Sequence, residues 1–325
     1  MVSIEKATSI ILEHIPVLGL EKIDLLYASG RVLGEAIIAR YSIPSNDIST
    51  MDGFALMEED IRGAGPENPL PLKVCKKSET EVKKGRAVRI MTGAILPHGA
   101  DTVVKFEDTS LKDNAELEVF NNPGYGANIK RVGEKVKAGE LIIGKGNILN
   151  PLYIGLIASQ RICKIYVYQK PQVAILATGD ELVDVDEEGG TTVCSDIYTI
   201  GAQVLSCGGI PVILGIAKDN KEDLTKKIIQ GLSKDILITT GGTSLGDYDI
   251  VKDVFIELGI DLKVSSVRMY PGKSFFFGTI YKKPVFGLPG NPVSSMISFE
   301  IFVHPAIKKM QGFPHIFPSK VKAYT

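Results

Sequence analysis

From Val173 to Met310, short strand-like runs alternate with longer helical runs, and few folds satisfy that pattern. The extended runs are Val173–Ala177, Pro211–Gly215, Ile236–Thr240, Leu262–Arg268, Phe275–Ile280 and Val285–Leu288. The continuous apolar run Ile236-Leu237-Ile238 is the mark of a strand buried on both faces, as in a parallel sheet covered by helices on either side. The helical runs lie at about Ile197–Ser206, Lys221–Leu232, Ile250–Leu258 and Val293–Met310. Their ends carry capping signals: Ser195, Asp219 with Glu222 as a capping box, Gly208-Gly209, and Asn291-Pro292. The expectation is a doubly wound α/β domain of ordinary size.

Within it, Asp235–Asp249 joins a buried strand to a helix through Gly241-Gly242-Thr243-Ser244-Leu245-Gly246, followed by Asp247 and Asp249. A Gly-rich turn at the carboxyl end of a parallel strand is where such sheets bind ligands. Glycines admit close backbone approach, and free N–H groups hold anions. Two carboxylates beside a bound phosphate need a cation between them, and Mg²⁺ suits oxygen donors best. The run is neither the nucleotide P-loop nor G-x-G-x-x-G. Taken alone it also reads as a tight turn with acids at a helix start, where the macrodipole favours them.

Other loops have the same character. Thr178-Gly179-Asp180-Glu181 follows Val173–Ala177 on the same sheet edge, and Glu181 suits a metal or a proton; exposed turn acids are the plainer reading. Pro271-Gly272-Lys273 offers a point cation to a phosphate, or is an ordinary turn. Leu288-Pro289-Gly290-Asn291-Pro292-Val293-Ser294-Ser295 is a capped helix start, whose free N–H groups also suit an anion. In the N-terminal half, Ser49-Thr50-Met51-Asp52-Gly53 and Met91-Thr92-Gly93-Ala94 read as turns.

A chain of 325 residues is long enough for two or three domains. Residues 4–15 form an amphipathic helix capped by Ser3 and ended by Pro16, and Asn150-Pro151 opens another. From Phe54 to about Asn122 the chain changes to short strands with Pro, Gly and charged turns, which reads as a small inserted β domain. Hairpin signals occur at Lys137-Ala138-Gly139 and Gly144-Lys145-Gly146. A net charge of −1 gives no basic surplus for nucleic acid. There is no signal-peptide pattern and no membrane-length apolar run, so no membrane partner is expected. Four scattered cysteines fit a reducing, cytoplasmic setting. His14, His98, His304 and His315 have no metal-ligand spacing, and no Ser–His–Asp or Cys–His set can be drawn.

Taken together, the loops resemble the MoeA/gephyrin E-domain family, the molybdopterin molybdenumtransferases. The matching runs are Met51-Asp52-Gly53-Phe54-Ala55, Met91-Thr92-Gly93-Ala94, Thr178–Leu182, Gly241–Asp249, Pro271-Gly272-Lys273 and Leu288–Ser294, in family order across most of the chain. The resemblance implies an enzyme of molybdenum cofactor synthesis that binds adenylylated molybdopterin, cleaves its pyrophosphate with Mg²⁺, inserts molybdate and releases AMP. It implies a homodimer whose active site lies between subunits, and contacts with other cofactor-synthesis enzymes. Asp52, Glu181, Asp247 and Asp249 would be the catalytic acids, the last three also holding metal. Thr92, Gly179, Asp180, Gly241, Gly242, Thr243, Ser244, Lys273, Pro289, Asn291, Pro292 and Ser294 would bind pterin, phosphate or molybdate.

The expected layout is an elongated N-terminal region and linker (1–50 and 123–165), an inserted β domain (51–122), a MogA-like α/β molybdopterin-binding domain (166–315), and the start of a truncated module (316–325). The family's C-terminal β domain is expected to be absent. The chain departs from the family pattern at Lys135 (usually Asp), Tyr270 (usually Arg or Lys), Ser274 (usually Pro), Ile48 (usually Asn) and Thr50 (usually Ala). Losing an acid and a base leaves two alternatives open: a tungstate-directed enzyme, or a non-catalytic paralogue that binds the pterin nucleotide. An adenylyltransferase resembles the α/β part alone, and the β domain argues against it.

Overall fold

A computed structural model describes residues 1–75, 81–112, 115–187, 191–241 and 250–317. They fall into two compact units, one built from Met1–Glu35 and the chain from Gly144 onward, the other from Ala36–Ile143.

The first unit carries the doubly wound sheet. Its six strands run in the order Ile210–Ala217, Gln172–Thr178, Ile236–Thr240, Lys283–Leu288, Phe276–Ile280, Asp261–Val264. The first four are mutually parallel, and Phe276–Ile280 is antiparallel to both of its neighbours. The unit's helices are Ile4–Glu13 (α1), Pro151–Ser159 (α2), Asp196–Ser206 (α3), Lys221–Leu232 (α4), Ile250–Glu257 (α5), Pro292–Ser298 (α6) and His304–Met310 (α7).

Alternate side chains of each central strand enter opposite cores, because successive Cβ atoms point to opposite faces. Val173, Ile175, Ala177, Ile236 and Ile238 pack with α1, α3 and α7. Ala174, Leu176 and Leu237 pack with α4 and α5. Five fully buried phenylalanines, Phe275, Phe277, Phe286, Phe299 and Phe302, fill much of the first core, each stabilising by roughly 1.5–3 kcal/mol. Phe275 and Phe302 stack with ring centroids 4.3 Å apart. Double-sided burial is thus the physical cause of the apolar runs in the central strands, whereas the edge strand Ile210–Ala217 leaves Ile210 and Ile213 exposed.

Several local expectations change. The run expected at Leu262–Arg268 is a strand only at Asp261–Val264. The long helix expected over Val293–Met310 is α6, a π-helical turn at Phe299–Val303, and α7. Pro305 lacks the N–H that would bond four residues back, and the wider turn accommodates the gap. The cap of α4 is Asn220, not Asp219: its side chain accepts from Glu222 N and Asp223 N. Ser195 precedes α3 but makes no capping bond. Ser3, Asn150 and Asn291 do cap their helices.

The second unit holds a six-stranded sheet in the order Thr102–Lys105, Gly53–Leu56, Arg86–Ile90, Leu70–Val74, Glu116–Val119, Thr109–Leu111. Its core comprises Phe54, Leu56, Ile61, Leu72, Val104, Leu117 and Val119. The expected hairpins do not form. Leu141–Ile143, beyond the Lys137–Gly139 turn, pairs with Ile37–Ile38, and Gly139 N donates to Ala39 O at 2.8 Å. Turn chemistry acts locally, and here the long-range partner wins.

Candidate active site

The α/β unit presents its loops at the carboxyl ends of parallel strands. Ala177 is level with Thr240, and Thr240 with Leu288. The loops starting at Gly179, Gly241 and Pro289 therefore leave the sheet from one edge. Gly241 has a φ of +83°, and a Cβ there would sit 2.5 Å from the Thr178 carbonyl oxygen. The first of the paired glycines is thus required by close approach to the neighbouring strand. Gly242, Thr243, Ser244, Asp247 and Asp249 lie outside the described residues.

A cavity of about 630 Å³ opens beside this edge, lined by Ser266, Tyr270, Lys273, Pro289, Asn291 and Ser294 among others. Lys273 is exposed, and among the described residues no carboxylate pairs with its ammonium. Asn291 Oδ1 accepts from Ser294 N at 3.2 Å and from Ser294 Oγ at 3.3 Å, which fixes both side chains on the wall. Pro292 opens α6 directly behind them. One unpaired cation among small hydroxyl and amide groups suits a compact oxyanion. Tyr270 stands at the rim with 99% of its surface exposed.

On the other side of the central strands, Asp180 Oδ1 accepts from Asp219 N at 2.9 Å. That bond ties the loop after Gln172–Thr178 to the loop after Ile210–Ala217. Glu181 is exposed, and its carboxylate has no partner among the described residues. A free carboxylate at this edge has the hard oxygen donors that Mg²⁺ takes.

The β-rich unit places Asp52 and Thr92 together. Gly53 pairs with Ile90 on one side and with Lys105 on the other. A Cβ on Gly53 would sit 2.0 Å from the Val104 carbonyl oxygen, so glycine is obligatory there. Asp52 and the turn at Thr92 thereby meet. Thr92 N and Oγ1 donate to Asp52 Oδ1 at 2.7 and 2.8 Å. The Thr92 N–H, then its hydroxyl, hold the Asp52 carboxyl below its usual range, with a smaller pull from the Arg89 charge. Nearby in sequence, Asp47 pairs with Arg131 at 2.6 Å and accepts from Val132 N. Lys135 is exposed in the same unit.

One buried acid escaped the sequence reading. Asp196, the first residue of α3, is only 7% exposed. Its Oδ2 accepts from Thr240 Oγ1 at 3.3 Å and lies 3.5 Å from Ser295 Oγ. Burial pushes its carboxyl up, and the two hydroxyls offset part of that rise. In the sequence, Ser195-Asp196 looks like any helix start. The partners are 44 and 99 residues away, and no local signal announces them.

Residues 2–160 match the family model described as "MoeA N-terminal region (domain I and II)", and residues 174–309 match "Probable molybdopterin binding domain". The molybdopterin molybdenumtransferase of Nostoc sp. is 34% identical, with 96% of this chain and 75% of that protein covered. The chain belongs to the molybdopterin molybdenumtransferase family. That of Haemophilus influenzae is also 34% identical, covering 96% of this chain and 78% of its own. Among solved structures, a molybdopterin biosynthesis MoeA protein of Pyrococcus horikoshii superposes with a TM-score of 0.85 at 31% identity. It covers 96% of this chain and 80% of its own. Members of the molybdenumtransferase family are enzymes of molybdenum cofactor biosynthesis, and the fold read from the alternating runs is the one this family has.

Proposed function

We propose that this molybdenumtransferase inserts molybdate into adenylylated molybdopterin and releases AMP in a Mg²⁺-dependent step. The observation that carries the proposal is the 630 Å³ cavity with Lys273, unpaired among the described residues, on its wall beside Asn291 and Ser294. Lys273 neutralises a bound oxyanion and the Asn291 Nδ2 amide donates to its oxygens, while the Ser294 hydroxyl, which otherwise donates to Asn291 Oδ1, turns to the oxyanion when it binds. Glu181, Asp247 and Asp249 would hold Mg²⁺, which when bound lowers the charge repulsion of the pyrophosphate. The Gly241–Ser244 loop, with Gly179, Asp180, Pro289 and Pro292, would shape the site for the pterin nucleotide. Breaking a phosphoanhydride needs charge neutralisation and positioning more than a protein nucleophile. Asp52 holds the Thr92 turn through Oδ1 and keeps Oδ2 for the reaction.

Homodimerisation belongs to the same proposal, with Asp52 and Glu181 of different copies serving one site. An exposed apolar group on the first unit supports it: Leu26 is 77% exposed, Tyr27 73% and Leu152 82%. Cys163, Cys194 and Cys207 carry free thiols, which supports a reducing, cytoplasmic setting. No helix among the described residues is long and apolar enough to cross a membrane. Tyr270, where the family has a base, leaves Lys273 as the charged wall residue of the cavity among the described residues and favours testing tungstate beside molybdate.

The deciding experiment measures AMP released anaerobically from adenylylated molybdopterin with Mg²⁺ and either oxyanion. Release with molybdate supports the transferase. Release with tungstate alone supports the tungstate-directed reading. Tight nucleotide binding without release supports the non-catalytic one.

A further inference from the structure

A buried carboxyl that no proposed step uses lies beneath two of the loops of the site. Asp196 Oδ2 lies within 3.3 Å of Thr240 Oγ1, on the last residue of the strand leading to Gly241. It also lies 3.5 Å from Ser295 Oγ, in the first turn of α6 behind Pro289 and Asn291. One oxygen on α3 thus reaches both segments from below.

The hydrogen count makes this more than packing. Ser295 has a single hydroxyl proton and a second acceptor, the Pro292 carbonyl oxygen, at the shorter distance of 3.0 Å. If the proton stays on Pro292, Asp196 meets the Ser295 oxygen lone pair and a neutral carboxyl must donate. If it turns to Asp196, the Pro292 carbonyl loses that bond. In both arrangements an oxygen at the Oδ2 position joins Thr240 to Ser295. An apolar side chain would leave two hydroxyls without this partner, at Thr240 (3% exposed) and Ser295 (1% exposed). Thr178 Oγ1 extends the same network by donating to the Thr240 carbonyl at 3.4 Å.

We infer that Asp196 is a positioning residue for the transferase reaction: through Thr240 and Ser295 it sets the spacing between the Gly241 loop and the Pro289–Asn291 loop. The role needs an oxygen at that place and not a charge. It is not an acid–base role, since the buried group touches hydroxyls and no open site. The inference deepens the proposed function and rests on it for the activity readout.

Asp196→Asn keeps an amide oxygen that accepts from Thr240 and, with the Ser295 hydroxyl turned from Pro292, from Ser295 as well, whereas Asp196→Ala removes the bridge. Both variants are compared with wild type in AMP release and in amide hydrogen exchange over residues 239–241 and 290–296, under conditions where circular dichroism shows each folded. The expected result for Asp196→Ala is a loss of kcat on the order of tenfold to a hundredfold, the scale of a small misplacement of reacting groups. Exchange should rise in both segments together. Asp196→Asn should stay near wild type in both readouts. Adding Thr240→Val to Asp196→Ala should cost little more, because the bridge is already gone. Unchanged exchange in folded Asp196→Ala would overturn the inference. So would damage in Asp196→Asn equal to that in Asp196→Ala. If wild type releases no AMP, the proposed reaction fails, and hydrogen exchange alone still decides the role of Asp196. If Asp196→Ala does not fold, Thr240→Val and Ser295→Ala replace it: each should loosen both segments, and loosening confined to the mutated one would overturn the inference.

Discussion

At the residue scale, the two acids best defined by the geometry behave in opposite ways. Asp52 is exposed and gains hydrogen bonds to its charged form, so its pKa falls. Asp196 is buried and its pKa rises. A raised acid makes folding favour the neutral form. The resulting penalty is absent below the ordinary Asp value of about 3.9 and grows as pH climbs through the raised folded value. Wild type should therefore lose stability over that window relative to Asp196→Asn, which cannot ionise. Urea denaturation across the acid-to-neutral range checks this, and parallel curves would show that Asp196 does not titrate in a buried setting. Glu181→Gln and Lys273→Ala test the site itself. Glu181→Gln should lower AMP release and raise the Mg²⁺ concentration needed. Lys273→Ala should raise the oxyanion KM by on the order of tenfold, the size of one charge-assisted contact. An unchanged oxyanion KM would remove Lys273 from the site.

At the element scale, capping decides where α4 begins. Sequence favours Asp219 with Glu222, yet Asn220 Oδ1 accepts from both Glu222 N and Asp223 N. Asp219 instead donates its N–H to Asp180, and Lys218 N bonds Asp223 Oδ2 at 3.1 Å. Asn220→Ala should cost about 1 kcal/mol of stability, and Asp219→Ala distinctly less; chemical denaturation of both variants separates the two starts. The strand Gly53–Leu56 sets a stricter limit. With the Val104 carbonyl 2.0 Å from any added Cβ, Gly53→Ala should destabilise by about 1–3 kcal/mol and displace Asp52 from Thr92. A native melting temperature for that variant would contradict the close approach. The interrupted final helix was hidden because its apolar spacing continues smoothly through Pro305, while the hydrogen-bond ladder does not.

At the scale of the whole molecule, each unit has its own core, and the chain spans 75–80% of the length of the relatives cited above. The apolar group at Leu26, Tyr27 and Leu152 is the expected face between two copies. Leu152→Asp should shift sedimentation from dimer to monomer without loss of helix content; an unaltered dimer would place the interface elsewhere. Mixed dimers of Asp52→Asn with Glu181→Gln should recover part of the activity each lacks alone. No recovery in verified mixed dimers would count against a shared site.

The sequence by itself determined the α/β class, the strand edge that carries the loops, and membership of the family. Those properties are written locally, in uninterrupted apolar strands, in glycines that meet a neighbouring backbone, and in Asn291 before Pro292. It also singled out Lys273, Asn291 and Ser294, which share one cavity wall, and Asp52 with Thr92, which share hydrogen bonds. Only the tertiary structure decided the strand order, the long-range pairing of Leu141–Ile143 with Ile37–Ile38, the true cap of α4 and the hydroxyl partners of Asp196. Each of these depends on which distant group supplies a hydrogen-bond partner. Local propensity carries no information about that, because the partner is chosen by the packing of the whole unit.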